Sequence, residues 1–271
     1  MVELVMVIVV LGIVSSIGAS IIAQVYESHI IQRAQYRADI KTELALNEIA
    51  NRLRYAIPAT IGVRQANTGD TFEDIITTTK ENVKVLQWVG YDGDSFEAIR
   101  SSASTGAARR PGWSGFCDVN ATINAGGNKI ITPGSDLNLA NTIIGNLGGS
   151  LSTSRIFFAD YTGLSFPVVS GSGESISVTI PTNAPISERY KLAWTSYALE
   201  VDGSGDLKLH YGFTPDVGVP INGNSQLLLH DITNFRFKYS GGAFRLKICK
   251  KEPIGMESNV TIHACKEKVV F

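Results

Sequence analysis

The chain has 271 residues, a formal net charge of −1, 18% charged residues and 26 glycines. This near-neutral balance, with a pI near 6.4, gives no electrostatic footprint for specific nucleic-acid binding or for an anionic membrane surface. The length fits one or two folding units, and glycine clustered with Ser, Thr and Asn favours strands joined by polar turns.

The first element dominates the rest. Residues 4–23 are twenty consecutive positions without a charge, about the length needed to cross bilayer hydrocarbon as a helix. Glu3 stands at the lip of that run, where an ionised group is costly in lipid and needs a reason. Residues 24–57 contain no Pro or Gly and the next breaker is Pro58, so the pattern predicts one helix of up to 57 residues, roughly 85 Å long. In residues 24–57, Ile30, Ala34, Ala38, Ala45, Ile49, Leu53 and Ile57 recur near a 3.6-residue period. That stripe is expected to pack on the domain that follows. Glu48 and Arg52 form a favourable i,i+4 pair, whereas Asp39 and Glu43 repel. An ordinary signal peptide has a basic n-region and a shorter apolar stretch; neither is seen, so a retained anchor is expected. The division is therefore 1–23 membrane half, 24–57 amphipathic half and 58–271 globular head.

Past Pro58 the head reads as β-rich. Strand-like runs occur at 83–91, 155–159, 175–180, 194–201, 206–213, 226–229, 234–239 and 244–249. Asp92-Gly93 reads as a turn, and 136–147 as a short helix or a loop with buried apolar residues. Two alternating runs around Asp-Gly-Ser-Gly, 198–213, predict a hairpin. A long helix followed by an antiparallel sheet gives an α+β fold class.

Chemistry-bearing motifs are few. His29, His210, His230 and His263 are scattered without zinc spacing, and no nucleophile elbow, phosphate loop or dinucleotide fingerprint occurs. The expectation is no enzyme, no cofactor and no metal. Asp202 and Asp206 offer carboxylates to Ca²⁺, but their spacing fits no full ligand loop and a hairpin turn explains them. Trp88, Trp113 and Trp194 read as core or half-buried strand residues. Asn120 and Asn259 each begin an Asn-x-Thr tripeptide with an acid two residues upstream, Asp118 and Glu257, a pattern similar to the stricter acceptor of bacterial N-glycosylation. Cys117, Cys249 and Cys265 allow three disulfide pairings and a reduced state. Proximity within the C-terminal segment favours Cys249–Cys265, which would contribute about 3 kcal/mol in the chain-entropy model. Cys117 is then left free or buried as a small hydrophobe.

Residues 1–14, MVELVMVIVVLGIV, resemble the N-terminal methylation segment of type IV pilin-like proteins. The family's hallmark is a glutamate within a long aliphatic run and a glycine nine residues later. The resemblance implies that Glu3 pairs with a neighbour's N-terminal amine during assembly, and that the helix near Gly12 can loosen in a fibre. It also implies Phe-Thr and a short basic leader ending in Gly ahead of Met1, so the native start is expected upstream. The proline that often kinks this helix in major pilins has no counterpart, since Ser20 and Ile21 occupy that region. KLHYGF (208–213) and QLLLHDITNFRFKYSGG (226–242) resemble the larger J- or W-type minor pilins. The implied role is a minor pilin or pseudopilin in a type IV pilus or type II secretion pseudopilus. Its partners would be other minor pilins, the major pilin, an inner-membrane platform and a prepilin peptidase, and its head would be periplasmic behind a single inner-membrane pass. The competing expectation is a signal-anchored periplasmic binding or adhesive protein without an assembly role.

Overall fold

In a computed structural model of the chain, the described residues are 2–78, 83–100, 109–126, 128–158, 164–181, 184–240, 242–254 and 260–270. The N-terminal helix is α1 (Val2–Arg54). Glu3 in its first turn, and Arg52 and Arg54 in its last, suit the helix dipole at both ends. It stops three residues short of the expected Ile57. The residue before a proline disfavours helix, and the sheet takes over the freed backbone groups: Ile57 N–H donates to Val89 O at 2.9 Å, and Tyr91 N–H to Tyr55 O at 2.8 Å.

A 3₁₀ turn, Pro58–Thr60, leads into β1 (Gly62–Arg64), β2 (Glu73–Asp74) and β3 (Val85–Gly90). Next come α2 (Gly93–Glu97), β4 (Ile99–Arg100), β5 (Arg110–Pro111), α3 (Val119–Asn124), β6 (Lys129–Ile131) and α4 (Leu137–Asn146). The strands β7 (Arg155–Phe158), β8 (Ser165–Ser172), β9 (Ser175–Val178) and β10 (Tyr190–Ala193) follow. The chain then runs through β11 (Thr195–Val201), β12 (Leu207–Phe213), β13 (Asn224–Leu229), β14 (Ile232–Ser240), β15 (Ala243–Pro253) and β16 (Thr261–Val270). A long helix with an antiparallel β-rich head is the α+β arrangement expected.

Three sheets carry the head. A six-stranded sheet has the order β13-β12-β11-β3-β1-β2, a five-stranded one β10-β7-β8-β9-β6, and a three-stranded one β14-β15-β16; β4 and β5 form a two-stranded ribbon. The expected hairpin is β11 with β12, in the register Ala198↔His210, Leu199↔Leu209 and Val201↔Leu207. Its turn is closed by Gly205 at φ 86°, a conformation glycine adopts without steric cost. β3 is buried along its whole length, which is why 83–91 reads as an almost continuous apolar run. Its one polar side chain, Gln87, is satisfied by Arg64 at 2.9 Å and by Val219 O at 3.0 Å.

Asp92-Gly93 is not a hairpin turn. The Asp92 side chain accepts from Ser95 N–H at 3.1 Å and so caps α2. Asp136 caps α4 in the same way, resolving the ambiguous stretch 136–147 as helix.

The head holds two main cores. One joins Leu46, Ile49 and Leu53 of α1 to Trp88, Leu199 and Leu209 of the six-stranded sheet and Leu246 and Ile248 of the three-stranded sheet. The other packs α4 (Leu137, Ala140, Ile144) on the five-stranded sheet, with Trp113 and Tyr190. The seam between them lies where the chain changes sheet: Asp92 N–H donates to Leu192 O at 2.7 Å, and Trp113 Nε1–H to Asp92 O at 2.9 Å.

Candidate functional site

α1 falls into two parts with different surroundings. Along residues 2–29 the apolar side chains are exposed on every side of the helix, Ile8 at 62% and Ile22 at 71%. This is the one described helix long and apolar enough to cross a membrane. A helix apolar all round has no face to present to water and needs lipid or other helices around it. That is compatible with single-pass anchoring.

From Ala34 onward the same helix is bolted to the head. Ala34 and Ala38 are fully buried, and their small side chains let the backbone approach the three-stranded sheet closely. Thr42 is also fully buried, its hydroxyl donating to Ala38 O at 2.7 Å. Lys41 reaches Glu252 of β15 at 3.3 Å, and Lys268 of β16 donates to Asn47. The expected Glu48–Arg52 pair forms at 2.9 Å. Arg52 also donates to the Tyr197 hydroxyl at 3.3 Å and lies 5.5 Å from the centre of that ring. The helix end is thereby fixed to the sheet by packing and polar ties together.

Glu3 is exposed in the first turn of α1, with no hydrogen bond or ion pair to any described residue. Gly12 lies nine residues on, about 13 Å along the axis and about half a turn round. The two therefore face opposite sides of the helix. A Cβ at Gly12 would meet nothing within 4 Å, so nothing within this chain calls for glycine there.

The cysteines resolve as one disulfide, Cys249–Cys265, joining directly opposed residues of β15 and β16. Cys117 is free and buried, and burial pushes its thiol pKa up, which keeps it in the unreactive form. Asn120 is exposed on α3. The acid upstream of it, Asp118, caps α3 by accepting from Ala121 N–H at 2.8 Å. Thr122 is fully buried and accepts from Ile131 N–H at 3.0 Å, so the tripeptide has a structural use in the folded chain. Asn259 lies outside the described residues.

Asp202 accepts from Ser204 N–H at 2.9 Å and Asp206 N–H at 3.0 Å, and pairs with Lys208 at 2.7 Å. The lysine and the turn together hold its pKa well below the usual carboxylate range. Asp206 faces His230 at 2.9 Å, and His210 faces Glu200 at 3.1 Å. Among the described residues no group of three or more His, Cys, Asp or Glu is arranged to hold a metal ion. Trp88 and Trp113 are buried and Trp194 half-buried, as expected.

A cleft of about 500 Å³, missed in the sequence, lies between Arg52 at the end of α1, Tyr55 just beyond it, and the rings of Trp194, Tyr197 and Tyr211. Cations already lie near two of its rings: Arg52 by Tyr197, and Lys191 at 4.6 Å from the centre of Tyr91. At its rim Asp92 is 2% exposed, and its Oδ2 has no hydrogen-bond partner. Desolvation raises that carboxyl pKa to about 6.

No protein-family model, curated protein or solved structure matches this chain.

Proposed function

We propose that this protein is a minor pilin or pseudopilin, a structural subunit carried in the inner membrane by residues 2–23 and drawn from there into a type IV pilus or type II secretion pseudopilus. The observation that carries the reading is the division of α1. One helix leaves a lipid-length apolar half wholly uncovered while its other half is built into the core of the head. In a fibre, the uncovered half packs against the same halves of neighbouring subunits, and the head stays outside. Glu3 is the only acid or base in residues 2–26. A carboxylate in that setting is stabilised by an opposite charge from a neighbour, which sets register between subunits. A head of some 200 residues is hard to repeat along a thin fibre, which favours an initiating or tip position. The partners are then other minor and major pilins, the assembly platform and the prepilin peptidase, with the head in the periplasm.

Glu3→Ala in the full chain tests this. Assembly or secretion should fall while urea unfolding of the head stays at the wild-type midpoint. Normal fibres from Glu3→Ala would overturn the role given to Glu3. Unchanged piliation and secretion after deletion of the whole protein would favour an anchored binding or adhesive protein instead.

A further inference from the structure

The six-stranded sheet ends on β13, whose free edge differs from the other described edges. β2, at the opposite end, is two residues long and both are acidic. β14 carries Arg236 and Lys238, and β16 carries Lys266, Glu267 and Lys268. The outer strands of the five-stranded sheet, β6 and β10, are three and four residues long with a lysine each. Short length and charge are the usual means of keeping an edge from pairing. β13 has neither: NSQLLL is six residues without a charge, exposed from Asn224 to Leu227. It pairs with β12 alone, so its outward N–H and C=O groups have no partner among the described residues.

Beside this edge runs a groove of about 450 Å³ between Leu44, Ala45 and Glu48 of α1 and Leu227, Leu228 and His230. Leu44 is 63% exposed and Leu227 41%. The charges nearby are already matched: Lys41 and Lys250 both pair with Glu252, at 3.3 and 2.9 Å. The edge offers an unfilled backbone ladder, and the groove beside it a seat floored by leucines, with the charged groups at its sides paired within the chain.

We propose that β13 is a docking edge for an extended segment of a partner polypeptide. The segment adds to the sheet by main-chain hydrogen bonds and places alternate apolar side chains between Leu44 and Leu227. The ladder dictates the occupant's chemistry, since only a peptide in β conformation satisfies a row of outward N–H and C=O groups. The groove favours a lone strand over a second copy of this chain. An antiparallel β13–β13 seam would bring both copies of α1 to the same face, each crowding the other's groove. The docking edge does not depend on how α1 is used.

The test is hydrogen exchange on the full-length protein in detergent micelles. The probe is acetyl-Thr-Val-Thr-Val-Thr-Val-amide, and the control is the same peptide with every amide N-methylated. About half the β13 amides point to the free edge, and these should exchange at least tenfold more slowly with saturating probe but not with the control. Leu227→Lys, which charges the groove mouth at an exposed position, should abolish the slowing without moving the urea midpoint. No slowing at saturation overturns the proposal, as does equal slowing by the methylated control or in the Leu227→Lys variant. Slowing that grows with protein concentration without peptide assigns the edge to a second copy and overturns the assignment to a separate partner.

Discussion

In the N-terminal half of α1, Leu4, Ile8, Ile13 and Ile22 stand exposed, while Ala38 and Ile49 further along the same helix are fully buried. Backbone geometry does not distinguish the halves, since the helix is continuous from Val2 to Arg54. What differs is the pattern around the axis. The first half is apolar on all sides and depends on lipid or neighbouring helices; the second confines its apolar residues to a stripe and depends on its own sheets. Head stability should therefore be sensitive to the second half and indifferent to the first. The largest effect tests this directly. Ile49→Ala should cost about 2–5 kcal/mol in urea unfolding of the full chain in detergent, and Ile13→Ala less than about 0.5 kcal/mol. Comparable losses from both would abolish the distinction between the halves.

Next in size is the crosslink beneath the buried half. Cys249 and Cys265 are 16 residues apart, and a loop of that length stabilises by about 3 kcal/mol in the chain-entropy model. Replacing both with alanine should lower the urea midpoint accordingly. It should also quicken hydrogen exchange over residues 34–53, which lie on that sheet, and leave residues 4–23 unchanged. Equal acceleration in both halves would show that the helix melts as a unit.

Much of this division was legible beforehand, because it rests on periodicity. The 3.6-residue stripe named Ile30, Ala34, Ala38, Ala45, Ile49, Leu53 and Ile57; six of the seven are buried and Ile30 is half-buried. The β11–β12 hairpin was legible by alternation and by Asp-Gly-Ser-Gly. β16 was not, because Lys266 and Lys268 share the inward face of the strand with buried Ala264 and Val270. Long lysine stems can cover apolar surface while their ammonium groups reach polar partners, as Lys268 does with Asn47, so the strand reads as merely charged. β8 was hidden by Pro167 and Gly171, which ordinarily break strands, beside an irregularity in its pairing with β9 between Val168 and Ser170. The second core was invisible because sequence alone did not reveal that the chain changes sheet at Asp92 and Trp194. Of the candidate assembly residues, Glu3 was legible as a lone carboxylate at the lip of an apolar run, whereas Gly12 came only through the family resemblance. The free edge of β13 carries no residue-level signal, only a missing charge.

A smaller effect probes the seam where the buried half of α1 ends. Desolvation raises the Asp92 carboxyl pKa to about 6, above an unfolded value of about 3.9. The native state therefore holds the proton more tightly. Asp92 contributes most below about pH 4, and that contribution is lost as pH rises through about 6. With the two pKa values roughly 2 apart, the loss is on the order of 2–3 kcal/mol. Asp92→Asn keeps a good helix cap without the ionisable group. The variant should match the wild type near pH 4 and exceed it in urea-unfolding stability at pH 7. A constant difference across that range would mean that Asp92 does not titrate there.

The smallest expected effect tests the exposed half itself. Gly12 has open space around the position of a Cβ, and alanine in place of glycine favours helix by about 1 kcal/mol. In the full chain in detergent, Gly12→Ala should therefore slow amide exchange around residues 8–16 severalfold while the unfolding midpoint of the head stays fixed. The local gain cannot reach the head, because the side chains of residues 2–29 make no part of its cores. A shift of the head midpoint would show that the two halves communicate along the helix, which would dissolve the distinction drawn between them. A local effect alone leaves the apolar half as an independently tunable element, and under the proposed assembly role a residual assembly defect in Gly12→Ala would then report on the flexibility of the helix rather than on folding.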